Sequence, residues 1–212
     1  MRLFVAAYPP AEACDHLQRR LQDLHVTAAA DRGVNTRLAR RDTWHVTLVF
    51  LGEVAEQRTA DAHQAIQRAV GGWRAAGSGP PQLRLAGGGR FGRGRFTLLW
   101  VGVDGDRDAL GRLARTVRRE FKRDRLPYDD RPFRPHLTLA RPGDRLDRAA
   151  VEADRAVLAD YRGPAWPVQT VELVRSHLGP KPWYEHLAAW QLAADLPPRT
   201  DHHEGGQPDR LG

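Results

Sequence analysis

Cysteine occurs only once in this sequence, as Cys14. A single cysteine excludes an internal disulfide and any site built on paired cysteines, and it is typical of a reducing compartment. Long apolar runs are missing as well: none approaches the roughly 20 residues that a membrane-spanning helix needs. The apolar stretch 3–8 is also too short for a signal peptide. We therefore expect a cytoplasmic protein with no membrane segment.

Lysine is scarce too, because Lys122 and Lys181 are the only two in the chain. The formal net charge is nevertheless +7, since arginine supplies almost all of the positive charge. Such a surface favours a polyanionic partner, and guanidinium groups bind phosphate through paired hydrogen bonds. A composition rich in Arg, Ala, Gly and Pro is equally typical of any protein from a GC-rich genome, so charge alone does not decide the function.

Two short apolar stretches, WHVTLVFL and PHLTLA, carry the same His-x-Thr-x pattern. Both have the composition of buried strands. Side chains alternate between the faces of a strand, so His45 lies beside Thr47 and His136 lies beside Thr138. Each motif therefore presents an imidazole and a hydroxyl together on an apolar platform.

Predicted strands and helices alternate irregularly, which indicates an α+β protein. We expect strands at 2–7, 44–51, 83–85, 96–103, 135–140, 168–176 and 184–192. We expect helices after Pro10, at 53–76, at 106–126 and at 148–161, with a loop at 28–33. The strand 96–103 is apolar on both faces and is expected inside a sheet. The repeated motif suggests two similar lobes related by a pseudo-twofold axis.

The glycine-rich segment 87–94 contains a literal GxGxxG pattern. It joins two strands and opens no helix, so a dinucleotide-binding turn is excluded by context. We expect a flexible basic hairpin loop at 87–95, with arginines placed to meet an RNA backbone. From residue 197 the chain is polar and rich in Pro and Gly, which predicts a disordered tail, 197–212, after one bilobal domain, 1–196.

The paired motifs suit the opening of a cyclic phosphodiester. In-line attack needs a base on one side of phosphorus and an acid on the other, and histidine can serve as either near neutrality. The threonine hydroxyls can donate to non-bridging phosphate oxygens. Arg134 shares strand parity with His136 and is the expected cationic phosphate contact, whereas Arg141 has the opposite parity and Arg131 lies in a loop. The scheme needs no metal.

The other histidines are expected to have structural or surface roles. His16, His25 and His63 fall on predicted helices or loops, and His177 and His186 are more typical of hydrogen-bonded structural residues than of cleft residues. His202 and His203, followed by Glu204, lack the spacing of a zinc site.

With these residues in view, the chain resembles the 2H phosphoesterase superfamily, and within it the RNA 2',3'-cyclic phosphodiesterases long labelled 2'-5' RNA ligases. The resemblance covers nearly the whole chain before the tail. It rests on segments 2–6, 44–54, 99–103, 133–141 and 176–180 and on Tyr184. The chain departs from the family pattern at 181–183, where a hydrophobic residue is usual, and in its basic tail.

The resemblance implies two antiparallel-sheet lobes with outer helices and pseudo-twofold symmetry around a central cleft. It also implies that no cofactor is used and that a 2',3'-cyclic phosphate at an RNA 3' end is hydrolysed to a 2'-phosphate. By the family pattern, His45 is the proton donor and His136 the proton acceptor, and Thr47 and Thr138 bind the phosphate.

Three alternatives remain open from the sequence. The same residues serve the reverse reaction, ligation of a cyclic phosphate to a 5'-hydroxyl. An RNA-end-binding module without turnover would carry aromatic stacking platforms, which are not recognisable here. A metal-dependent phosphatase would need a carboxylate cluster beside the histidines.

We expect a monomer with no obligate protein partner, because two lobes already complete the site.

Overall fold

The structure is a computed structural model that describes residues 1–179 and 182–193. Helices and strands alternate irregularly along it, as the sequence predicts. The strands are β1 (Arg2–Ala7), β2 (Val46–Glu53), β3 (Gln82–Phe91), β4 (Leu98–Gly105), β5 (His136–Ala140), β6 (Arg162–Pro167), β7 (Thr170–His177) and β8 (Trp183–Gln191). The helices are α1 (Ala11–Leu21), α2 (His25–Asp31), α3 (Thr59–Ala75), α4 (Arg107–Arg123) and α5 (Arg148–Ala159).

Two four-stranded sheets form the two lobes. The first sheet has the strand order β2-β1-β7-β8 and the second has the order β5-β4-β3-β6. Every neighbouring pair is antiparallel. β4 lies inside the second sheet, as its apolar faces predict. The predicted α+β fold of two antiparallel lobes is therefore confirmed.

The strands that carry the two histidine motifs occupy equivalent places in their sheets. β2 and β5 are both edge strands, and the two edges contact each other. The segment before each strand bonds to the other strand: Ala39 N–H donates to the Leu139 carbonyl at 2.7 Å, and Asp129 N–H donates to the Phe50 carbonyl at 2.8 Å. This reciprocal exchange fits the expected pseudo-twofold relation and holds the two motif strands next to each other.

Helices are exchanged between the lobes as well. α4 follows a strand of the second sheet but packs against α3 and β2 of the first, while α1 follows β1 of the first sheet and packs against β3 and β6 of the second. The buried face of α3 matches its predicted stripe, which consists of Ala62, Ile66, Ala69, Val70 and Trp73. One continuous cluster of buried apolar side chains consequently runs through both lobes.

The loop predicted at 28–33 is wrong, because its first residues belong to α2. No side chain caps this helix locally. Its first two backbone N–H groups, those of His25 and Val26, donate instead to the carboxylate of Asp154, at 2.6 and 2.9 Å. Asp154 is fully buried on α5. The cap therefore comes from a distant part of the chain, and no local pattern reveals it.

The flexible loop predicted at 87–95 is also wrong for most of its length, since β3 continues to Phe91. Close packing requires the glycines there. A Cβ on Gly88 would lie 2.2 Å from a Leu158 atom, and one on Gly89 would lie 2.2 Å from the Trp100 ring. Glycines that suggest a loop in the sequence therefore belong to a strand that is covered closely on both faces.

Strand β6 was not predicted from the sequence. Its residues read RGPAWP, and proline cannot donate a hydrogen bond to a sheet, so the composition argues against a central strand. β6 pairs with β3 at the edge of the second sheet, where prolines are tolerated.

Some predictions fall on residues that the structure does not describe. These are part of the turn at 179–182 and the whole tail 197–212, with His202, His203 and Glu204. One domain over residues 1–196 followed by a disordered tail stays a prediction. Among the described residues, no helix has the length and apolarity that crossing a membrane requires.

Candidate active site

His45 is the residue immediately before β2. Its Nδ1–H donates to the carbonyl oxygen of Thr43 at 2.8 Å. This contact selects one tautomer and leaves Nε2 as the nitrogen available for proton transfer. Phe4 and Tyr184 flank the ring, with centroid distances of 4.8 and 5.2 Å. The imidazole is therefore fixed in orientation from both its polar and its apolar sides.

His136 is the first residue of β5 and is held in the same way. Its Nδ1–H donates to the carbonyl oxygen of Arg134 at 2.7 Å. Phe91 packs against the ring edge-on with centroids 5.0 Å apart, and the Trp100 ring lies at 6.1 Å. The two motifs thus place their imidazoles in matching environments, one in each sheet.

Burial lowers the pKa of both imidazoles. It lowers the pKa of His45 to about 4, against the opposing effect of the Thr43 carbonyl. Burial also lowers the pKa of His136, and the positive charge of Arg141 lowers it further. In the free protein both rings are therefore mostly neutral at pH 7.

The structure places the two motif histidines near each other. The charge of His136 acts on the pKa of His45, so the two rings lie within electrostatic reach of each other. Thr47 on β2 and Thr138 on β5 are partly exposed, and strand alternation directs each to the same side as its histidine. Their contact with a bound phosphate stays a prediction.

A bulge in β5 changes the parity argument for Arg141. β4 pairs Thr138 and Ala140 with two successive residues, so Leu139 is the extra residue of a β-bulge. Strand parity changes at the bulge, and Arg141 then follows on the face of Thr138. The parity argument against Arg141 assumes an unbroken strand, so it does not hold across this bulge.

The charge of Arg141 acts on groups of both lobes. It affects the pKa of His136 in the second sheet and of Tyr184 in the first. Arg134 is exposed and precedes β5, where its carbonyl holds the His136 ring. Its phosphate contact stays a prediction. Arg131 is engaged in an ion pair within its own loop.

His186 lies near His45, because Tyr8 packs against both rings. Its Nδ1–H donates to Glu172, which agrees with the expected structural role, and its ring packs against Tyr8 with centroids 4.9 Å apart. Its charge also lowers the pKa of His45. No local pattern in the sequence points to this neighbourhood, because Tyr8 follows β1 whereas Glu172 and His186 belong to β7 and β8, which are remote from it in the chain.

The other described histidines are His16, His25, His63 and His177. His177 is structural, since it bonds to Glu185 at 2.8 Å and stacks on Trp183 with centroids 3.9 Å apart. His25 and His63 are exposed as expected, while His16 is half-buried. Within the described part of the chain, no three His, Cys, Asp or Glu side chains form a group that could hold a metal ion.

Two lobes with one His-x-Thr motif each are the features that this chain shares with known proteins. The sequence model of the 2'-5' RNA ligase superfamily matches residues 9–180. That match spans most of the chain. The protein belongs to the 2'-5' RNA ligase superfamily, as its sequence motifs predict.

Curated relatives support this assignment. The chain is 33% identical over 165 residues to a Geobacillus stearothermophilus protein named RNA 2',3'-cyclic phosphodiesterase, and the match covers 77% of this chain and 50% of that protein. The chain thus spans about half the length of that relative. A Thermus thermophilus protein of the same name is 30% identical over 202 residues, with 92% of each chain covered.

The fold is shared with solved structures. A crystal structure of a Thermus thermophilus protein superimposes with a TM-score of 0.66 at 27% identity. The superposition covers 92% of this chain and 100% of that one. The bilobal architecture is therefore that of a structurally characterised group.

Proposed function

We propose that this protein hydrolyses the 2',3'-cyclic phosphate at RNA 3' ends, and that of small cyclic nucleotides, to a 2'-phosphomonoester. The observation that carries the proposal is the matched pair His45 and His136, which come from different lobes, lie within electrostatic reach of each other and are oriented by the same type of hydrogen bond. Membership of the superfamily and the names of the curated relatives support it.

The two imidazoles have opposite tasks in this reaction. His136 Nε2 takes a proton from water as the water oxygen bonds to phosphorus. His45 Nε2–H gives a proton to the 3' oxygen as the bond between phosphorus and that oxygen breaks. One turnover leaves His136 protonated and His45 neutral, and exchange with solvent restores the starting state.

Hydroxyl and guanidinium groups stabilise the charge that develops on phosphate. Thr47 and Thr138 donate to the non-bridging oxygens. Arg134 is the cationic contact proposed from the sequence, and Arg141 is a second candidate because its charge acts on both lobes. No step of this scheme passes through a metal or an organic cofactor.

Substrate binding enables His45 to take up the proton that it needs from solvent. The pKa of this imidazole is about 4 in the free protein, so it is mostly neutral at pH 7. A bound phosphodiester brings a negative charge next to the ring and raises its pKa. The protonated acid is thus formed when the anionic substrate occupies the cleft.

Assays on two substrates test the proposal. Wild-type protein is incubated with a 2',3'-cyclic mononucleotide and with a short RNA bearing the same end, in the presence of EDTA. We expect turnover of both, and a loss of about 10²- to 10⁴-fold in kcat for His45→Asn and for His136→Asn. His63→Asn is a matched control, since His63 is exposed on α3. Wild-type activity in either motif variant would remove that histidine from the mechanism.

Ligation is the second candidate, because the superfamily is described by that activity. The same imidazoles with exchanged roles would join a cyclic phosphate to a 5'-hydroxyl. Adding an RNA with a free 5'-hydroxyl to the assay distinguishes the two directions. Binding of cyclic-ended RNA without any turnover would instead favour a non-catalytic RNA-end-binding module.

We also propose that the protein acts as a monomer, without an obligate protein partner, in the cytoplasm. Both histidines come from one chain, so a single copy completes the cleft. Light scattering of the protein as it elutes from a size-exclusion column tests the oligomeric state, and a stable dimer would contradict the proposal. Fractionation of cells tests the location.

A further inference from the structure

A groove lies beside the cleft, at the open edge of the second sheet. β6 pairs with β3 only as far as Ala86. Gly87 N–H still donates to the Tyr161 carbonyl at 2.9 Å, but among the described residues no strand pairs with Gly88, Gly89 or Arg90 on that side. These three residues line a cavity of about 720 Å³.

Positive charge dominates the walls of the groove. Arg90, Arg148 and Arg155 line it together with one acidic residue, Glu152. Glu152 accepts from Arg90 Nε and from Arg155 Nε, each at 2.7 Å, so it positions two guanidinium groups. Three arginines against one carboxylate leave a net positive site.

Trp100 connects the groove to the cleft. Its ring lies 6.1 Å from the ring of His136, between centroids, and it also lines the groove. The six-membered ring of the indole lies over Gly89, because Cζ2, Cη2 and Cε2 are the nearest atoms that a Cβ there would meet.

Three guanidinium groups beside an open strand edge suit an anion with several oxygens. We infer that the groove binds a phosphodiester of the RNA backbone upstream of the terminal nucleotide, through Arg148 and Arg155. The inference rests on the proposed function and extends it: the enzyme recognises RNA longer than one nucleotide, and the chain leaves the cleft over the edge of β3.

Kinetics on substrates of two lengths test the groove. The probes are a 2',3'-cyclic mononucleotide and a tetranucleotide RNA with a 2',3'-cyclic end. The variant Arg148→Gln/Arg155→Gln should raise KM for the tetranucleotide roughly tenfold, since it removes charge-assisted hydrogen bonds to phosphate. Neither arginine contacts the terminal nucleotide in this account, so kcat/KM for the mononucleotide should stay within about twofold.

A matched control removes the same charge elsewhere. Arg112→Gln/Arg115→Gln changes two exposed arginines of α4 and should leave both substrates unaffected. The groove variant should also show a weaker dependence of tetranucleotide kcat/KM on salt, by a slope of about 0.7 for each phosphate that the variant no longer neutralises. Equal effects of the two double variants, or no effect of either, would overturn the inference.

Binding measured by fluorescence anisotropy separates this inference from the proposed function. The probe is the labelled tetranucleotide. If wild-type protein binds it more tightly than the groove variant yet hydrolyses neither substrate, the proposed function fails and the groove stands. If both substrates are hydrolysed and the groove variant binds the tetranucleotide as tightly as wild type, the groove fails and the proposed function stands.

Discussion

His45 and His136 lie in different sheets, yet each donates its Nδ1–H to the carbonyl oxygen of the residue two positions earlier, at 2.8 and 2.7 Å. The motif therefore carries its own positioning device, because the backbone just before the histidine fixes the ring. The same Nε2 atom is left available in both rings. Because both rings are held by the same hydrogen bond, the acid and base roles depend on the groups that surround each ring.

The pH dependence of turnover follows from the lowered pKa values of both rings. The reaction needs His45 protonated and His136 neutral. In the free protein the pKa of His45 is about 4 and that of His136 is below its usual 6.5. Above pH 6.5 the fraction of free enzyme with His45 protonated and His136 neutral therefore decreases, and kcat/KM should fall about tenfold per pH unit.

The pH dependence of kcat should differ from the pH dependence of kcat/KM. The bound phosphate raises the pKa of His45 in the complex, so the alkaline limb of kcat should lie at higher pH than that of kcat/KM. Steady-state kinetics from pH 4 to about 9 measure both limbs. Coincident limbs, or a kcat/KM that rises above pH 6.5, would contradict this assignment.

The two arginines near the second motif can be ranked by substitution. Arg141→Gln should lower kcat/KM for a cyclic mononucleotide by about 10- to 100-fold, because its charge acts at both His136 and Tyr184. Arg134→Gln should have the smaller effect, since its contribution to the His136 ring is a backbone carbonyl that the variant keeps. A larger loss for Arg134→Gln than for Arg141→Gln would restore the ranking drawn from strand parity.

The buried cap of α2 makes a prediction about stability. Asp154→Ala removes the acceptor of two backbone N–H groups at the start of α2 and should lower the free energy of unfolding by about 3 kcal/mol. Asp154→Asn keeps an acceptor and should cost less. Denaturant titration measures both, with the exposed Asp160→Ala as control. A loss below about 0.5 kcal/mol for Asp154→Ala would show that the cap is dispensable.

The sequence predicts what is encoded locally. The strand alternation of His45 with Thr47, and of His136 with Thr138, is a local property, and the structure has strands β2 and β5 at these motifs as expected. The apolar stripe of α3 and the interior position of β4 follow from periodicity in the same way. Repetition of one motif in two strands then indicates two lobes.

What the sequence does not reveal depends on contacts between distant residues. α2 is capped by a residue of α5. Glycine is needed at 88 and 89 because Leu158 and Trp100 leave no space for a Cβ there. The bulge at Leu139, which changes the parity argument for Arg141, depends on pairing with β4. Period-two reasoning fails at such a bulge, because it assumes an unbroken strand.

Phosphorus NMR of the product tests the central claim most directly. Cyclic-ended RNA is incubated with wild-type protein in EDTA, and the product is compared with authentic 2'- and 3'-phosphomonoesters. Because His45 donates its proton to the 3' oxygen in this account, the 2'-phosphomonoester should form alone, and His45→Asn should remove it. A 3'-phosphomonoester, or a substrate left intact by the wild-type protein, would contradict the account.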